Sequence, residues 1–191
     1  MLKNIFILLI VILFGGCSIN QQYLKEPKKI EINDTLLSHI KYILYLIGKN
    51  DLQTLNNLYI NHKYGLYEVN VEDRKIVISN KLVLEDIDDY IGSFDINKNE
   101  DVNFYCSPYN DALYGWTQDG VFISTNTEQY LSDYISEQHL EKQDFIKKIL
   151  ENSVEVIVTY NIIFYLTKIE DKYYITLIDN VKTDCSNLDL E

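Results

Sequence analysis

The sequence predicts an α+β domain, with N-terminal helices packed on a strongly bent antiparallel sheet that ends in a long hairpin. Three observations carry this expectation. Leu36, Ile40, Ile43, Leu44 and Ile47 recur at three- and four-residue steps, the period of an amphipathic helix. Val154, Val156, Val158, Tyr160, Ile162, Phe164 and Leu166 alternate with Glu155, Ile157, Thr159, Asn161, Ile163, Tyr165 and Thr167, the period of a strand. Apolar residues make up 47% of the 191, enough to bury a sizeable core, and 7 Gly with 2 Pro are too few for a linker-rich or collagen-like chain.

The first helix is expected over residues 34–48, with Asp34 as its N-cap and Gly48 as its stop. A second, from Asp51 to about Ile60, carries Leu52, Leu55 and Leu58 in register, and His62 caps or ends it. Tyr64 to Val71 and Lys75 to Ser79 read as strands around the polar turn Glu72-Asp73-Arg74. Leu84 to Gly92 is acidic and suits a helical turn or two, and Phe104 to Pro108 is extended. Asp119-Gly120, between Trp116 and the run Val121-Phe122-Ile123, is a hairpin signal. Thr125 to Glu128 fits a capping box before a helix through Tyr130, Leu131, Tyr134 and Ile135. A further helical piece holds Phe145, Ile146, Ile149 and Leu150. Val154 to Thr167 then forms one strand of about thirteen residues, roughly 43 Å long, which implies strong bending. Glu170-Asp171-Lys172 turns the chain, and Tyr173 to Val181 returns antiparallel.

The N-terminus has a different character. Lys3 precedes an unbroken apolar run from Ile5 to Phe14, followed by Gly15, Gly16 and Cys17, the layout of an export signal. A membrane span needs about 20 apolar residues, and this run is shorter. Phe14-Gly15-Gly16-Cys17 resembles the lipobox of bacterial lipoproteins. The resemblance implies diacylation of Cys17 and cleavage just before it. It divides the chain into a signal peptide (1–16), a lipidated N-terminus and flexible tether (17–33) and a single α+β domain (34–191). Ser18 after the cysteine tilts the destination toward the outer membrane, facing the periplasm. With Cys17 acylated, Cys106 and Cys185 remain, and in the oxidising exported compartment they are expected to pair as a structural disulfide. Their wide separation is unlike the Cys-x-x-Cys of redox pairs.

Two helices, then strands with a helical insertion, then a terminal hairpin resemble the NTF2-like α+β family. The residues carrying the likeness are the helix at 34–48, the segment Leu52 to Tyr67, and Tyr173-Tyr174-Ile175-Thr176-Leu177-Ile178-Asp179. The family curls a bent antiparallel sheet around a cone-shaped pocket, so the resemblance implies such a cone over about residues 34–183.

Candidate sites are sparse. Tyr105, Pro108, Tyr109, Tyr114 and Trp116 crowd one stretch of a chain with 16 Tyr, 7 Phe and one Trp. Tyr105, Tyr109, Tyr114 and Trp116 form the candidate binding surface, because aromatics with a polar handle suit interfaces. The same residues also suit strand and core positions. Asp95-Ile96-Asn97-Lys98-Asn99 matches the first ligand positions of a calcium loop. Glu100 stands where glycine is needed and Cys106 where a bidentate glutamate is needed, so the segment reads as a polar turn. It lies in an acidic stretch with Glu85, Asp86, Asp88, Asp89 and Asp101. His39, His62 and His139 show no ligand spacing with the cysteines, so no metal or cofactor is expected. No nucleophile motif, phosphate-cradling loop or dinucleotide fingerprint occurs, and no catalytic residue is assigned.

With 29 acidic against 17 basic residues the net charge is −12, which argues against a nucleic-acid partner. The expectation is a lipid-anchored cell-envelope protein that binds or scaffolds, without enzymatic activity. The membrane is engaged through the N-terminal lipid, and the partner is another envelope protein or a small ligand. Two alternatives are a small enzyme with its active site in the cone and an acidic inhibitor of a cationic hydrolase such as lysozyme.

Overall fold

The computed structural model describes residues 30–87, 95–98, 102–106, 114–125 and 143–187. The lipobox, most of the tether, the capping box at 125–128 with its helix, and Tyr109 lie outside or largely outside these residues.

Helix α1 (Asp34–Gly48) forms on the expected spacing. Leu36, Ile40, Ile43, Leu44 and Ile47 are buried along one stripe, joined by Leu46. Its N-cap is Asn33, not Asp34: the Asn33 side chain accepts from the Leu36 N–H at 3.0 Å. Its stop is Asn50, not Gly48. Asn50 takes φ 51°, donating to Ile47 O while Asp51 donates to Leu46 O, both at 2.9 Å. These two bonds are a Schellman closure, for which asparagine is an accepted left-handed residue. Asp51 then caps α2 (Leu52–Tyr59) by accepting from the Thr54 N–H. Leu55 and Tyr59 are buried, whereas Leu58 is 50% exposed, off the expected register. Ile60 ends the helix, and the Asn61 side chain accepts from Lys63 and Tyr64 N–H, so His62 is not the cap.

β1 (Leu66–Glu72) and β2 (Lys75–Lys81) form the expected hairpin. Asp73 and Arg74 both have positive φ, 50° and 62°, as a two-residue hairpin turn that follows strand twist requires. Gly65 enters this hairpin at φ 68°, where a Cβ would stand 2.2 Å from Lys81 O, so no other residue fits. Next come β3 (Ile96–Asn97), β4 (Phe104–Tyr105), β5 (Gly115–Trp116) and β6 (Val121–Ser124). The Asp119-Gly120 hairpin does not form. β5 pairs with β4 in a separate two-stranded ribbon, while β6 joins the main sheet. Helix α3 (Gln143–Glu151) follows, on the expected Phe145–Leu150 stretch.

The single long strand is also overturned. Its residues make two strands, β7 (Ser153–Val158) and β8 (Ile162–Ile169), folded back at Thr159-Tyr160-Asn161. Asn161 N–H closes the turn on Val158 O at 3.1 Å, and Thr159 exchanges bonds with Gly120. Val158 pairs with Ile162, so even-numbered residues face even-numbered ones, and the alternation runs through the turn without a break. β9 (Lys172–Asp179) pairs antiparallel with β8, as expected, around the turn at Glu170-Asp171.

The sheet order is β2-β1-β9-β8-β7-β6-β3. It is mixed, not antiparallel, because β1 runs parallel to β9 and β3 parallel to β6. It is open, with β2 and β3 as edges, and is not the curled cone of an NTF2-like domain. The reason lies in the split strand, since strands of 6 and 8 residues replace the long one whose bending would curl the sheet. Each face is covered instead. Val154, Val156, Val158, Phe164 and Leu166 pack with α1 and α2, while Ile157, Ile163 and Tyr165 pack with Phe145, Ile146, Ile149 and Leu150 of α3. The second face also carries polar groups. Ser153, Thr167 and Thr176 share a buried hydroxyl chain, and buried Glu155 meets Lys182 Nζ at 3.0 Å. Cys106 and Cys185 are bonded, with Cα atoms 5.3 Å apart, tying the ribbon to the turn after β9.

Tyr160 sits at φ 61° and is 70% exposed. A left-handed conformation costs a bulky residue roughly 1–2 kcal/mol, and Asn tolerates it better. Tyr160→Asn is therefore expected to stabilise the protein by about 1 kcal/mol, read as a higher denaturant midpoint at unchanged slope. A lower midpoint would show that the ring's contacts outweigh the strain.

Candidate functional site

A groove of about 950 Å³ opens where α1, α2 and the β8–β9 turn meet. Helix α1 supplies Thr35, Ser38, His39 and Tyr42, spaced i, i+3, i+4, i+7 beside the core stripe, so all four fall on one face. The end of α2 supplies Tyr59, with Leu58 at the exposed side. The loop after it adds His62 and Lys63, and the sheet adds Asp171, Lys172, Tyr173 and Tyr174. The fold thus assembles one wall from a single helix and the other from segments more than a hundred residues apart.

Its base is aromatic. Tyr59 and Tyr173 are almost fully buried. His39 Nδ1 lies 3.0 Å from the Tyr59 hydroxyl, and the His39 ring is 5.9 Å from that of Tyr59, edge-on, and 4.9 Å from that of Tyr173. Tyr42 reaches over from the rim, 6.4 Å from Tyr59, and stacks on Tyr45 at 6.1 Å. Burial pushes the Tyr59 phenol up to about 12, reinforced by neighbouring Tyr42, and burial pulls His39 below its ordinary value. At neutral pH the pair is therefore uncharged, a proton-bearing phenol against a neutral imidazole. Ser38 is not activated by His39, because its hydroxyl donates to Asp34 O at 2.8 Å. The described groups give the groove the makings of a binding surface, with an apolar aromatic base and polar edges.

The residues singled out from sequence lie elsewhere. Tyr105 and Tyr114 are exposed at the β4–β5 ribbon, 45% and 65%. Trp116 is buried, its ring 5.2 Å from Phe104 in the core of the α3 side, so it is a packing residue and no surface anchor. Tyr109 and Cys17 fall outside the described residues. Beside Phe104 and Trp116 is a smaller cavity of about 240 Å³. In the calcium-like segment, Ile96 and Asn97 form a strand against β6, with the Asn97 side chain close to Gly120. Among the described residues no group of three His, Cys, Asp or Glu side chains is placed to hold a metal ion. Of the histidines, His39 and His62 both line the groove, while His139 lies outside the described residues. The missed signal was the Thr35/Ser38/His39/Tyr42 stripe, legible as spacing on a helix already identified.

No protein-family model, curated protein or solved structure matches this chain.

Proposed function

We propose that this chain is a binding module that holds an apolar small ligand in the groove between α1, α2 and the β8–β9 turn. Its membership of the bacterial lipoproteins is part of the same proposal, with the domain carried on the envelope by an acylated Cys17 and, from Ser18, facing the periplasm from the outer membrane. The observation that carries the binding reading is the aromatic base, where His39, Tyr42, Tyr59 and Tyr173 surround a volume within the range of small-molecule sites. The lipid reading is supported by Phe14-Gly15-Gly16-Cys17 behind its apolar run. A disulfide between Cys106 and Cys185 suits an exported, oxidising location.

The lipid reading is tested with Cys17→Ala. In cells fed a clickable palmitate analogue the parent should take up label and the variant none; equal labelling would sink the lipobox assignment. The groove is tested with a leaderless chain starting at Cys17→Ser. The described core residues all lie between Ile30 and Ile178, so this chain keeps every one of them. Nile red, an uncharged apolar dye, should bind it saturably at one site. Ser38→Trp, which fills the groove from its exposed wall, should abolish binding with the melting temperature held. Binding unaffected by Ser38→Trp would move the site elsewhere, with the Tyr105/Tyr114 ribbon next.

A further inference from the structure

We infer that the ligand of this groove is a single-chain anionic amphiphile, an acyl carboxylate whose chain lies on the aromatic base and whose head meets Lys63 and Lys172. The inference rests on the groove being a binding site and adds the chemistry of its occupant.

Charge is the deciding observation. The chain as a whole carries −12, yet the charged side chains lining this groove are Lys63, Lys172 and a single acid, Asp171. That acid is already engaged, lying 3.8 Å from Lys168 Nζ. Among the described residues no carboxylate lies within ion-pair distance of Lys63 or Lys172. Lys63 instead lies over the Tyr64 ring, 5.1 Å from its centre. On a chain of net charge −12, two lysines with no acidic partner among the described residues, beside an aromatic groove, complement an anion. The overall negative charge does not override them, since charges farther than about 8 Å are largely screened at physiological salt.

The remaining lining sets the rest of the ligand. Tyr59 and Tyr173 are buried beneath it, and the His39–Tyr59 pair is uncharged at neutral pH, so the base favours hydrocarbon. Lys63 and Lys172 against Asp171 give the lining a net charge of +1, which matches the single charge of a carboxylate better than the nearly double charge of a phosphate monoester. The exposed positions of Lys63 and Lys172 keep the head at the solvent edge, as an amphiphile requires.

The test uses the leaderless Cys17→Ser chain and competition against Nile red at physiological salt. The competitors are decanoate, decanol, decyltrimethylammonium and decyl phosphate, all below their micelle concentrations. Decanoate should displace the dye at about ten-fold lower concentration than decanol, the size of one charge-assisted contact. Decyltrimethylammonium should be weakest. Lys63→Gln with Lys172→Gln should erase the decanoate advantage, read as the ratio of decanol to decanoate concentration that displaces half of the dye from the same variant. Equal displacement by decanoate and decanol, tighter binding of the ammonium or the phosphate, or an advantage that survives the double variant would each overturn the inference and leave the groove reading standing. Failure of Nile red itself to bind would remove both.

Discussion

Cys106→Ser is expected to lower the unfolding free energy by about 4.5 kcal/mol, a large fraction of what a domain of this size has. The bridge spans a sequence separation of 79, and chain entropy makes long closures the most stabilising. Its location argues the same way. Among the described residues the β4–β5 ribbon pairs only Phe104 with Trp116 and Tyr105 with Gly115. Its neighbouring ties are the bonds between Asn103 and Thr117. Cys106 fastens this short ribbon to the turn at Cys185–Asn187. Cys185→Ser and the double variant should lose the same amount as Cys106→Ser, because all three delete one bond. Reductant should bring the parent's denaturant midpoint to that of the double variant and leave the latter alone. A parent midpoint indifferent to reductant would refute the structural role.

Lys182→Met is expected to cost about 3 kcal/mol, the lower end of the range for breaking a buried ion pair from one side. Glu155 is 2% exposed in the middle of β7, with its carboxylate 3.0 Å from Lys182 Nζ and 3.3 Å from the Tyr165 hydroxyl. Lys182 keeps a little solvent contact, which moderates the loss. The effect has a pH signature. Without the ammonium, burial disfavours the charged form of the carboxyl. The deficit of the variant is therefore full at neutral pH and shrinks in acid, where protonation removes the buried charge. Pairing Lys182→Met with Glu155→Gln should restore most of the stability, since the buried carboxylate that the ammonium faced is then gone. A deficit unchanged between neutral and acidic pH would mean that lost packing, not charge, accounts for it.

The parts of this fold that were legible are those decided within a few residues. The stripe from Leu36 to Ile47 specifies α1 because three- and four-residue spacing places side chains on one helix face. The turn at Asp73-Arg74 follows from polar residues that relax nearby backbone, whereas the cap expected at Asp34 and the stop expected at Gly48 fall instead at Asn33 and Asn50. The hairpin at Glu170-Asp171 is visible because two charged residues interrupt two apolar runs. Apolar spacing alone also located α3.

Three features were settled only by distant contacts. The first is the turn at Thr159-Tyr160-Asn161. A three-residue turn preserves parity, so the apolar alternation of β7 passes unchanged into β8, and no Gly or Pro marks the break. What holds Tyr160 at positive φ is the ladder on both sides and the bonds from Thr159 to Gly120, 39 positions away. The second is the shift between β8 and β9 at Thr176, which turns Leu177 to the α3 face while Ile175 stays with α1. The third is the parallel docking of β1 on β9, a pairing across more than a hundred residues that makes the sheet mixed instead of antiparallel.

The groove divides along the same line. Thr35, Ser38, His39 and Tyr42 share a face because of helix geometry, and that was available from spacing. The partners that make the face a groove, Tyr59 and Tyr173 with Lys63 and Lys172, come from two other parts of the chain. Local spacing determined which residues form helices and strands, because backbone geometry repeats every few residues. The tertiary structure alone decided that the sheet stays open, that Trp116 is core while His39 and Tyr42 face a cavity, and that two lysines gather on an acidic protein. Those outcomes depend on which distant segments share buried surface, and no short-range period encodes that choice.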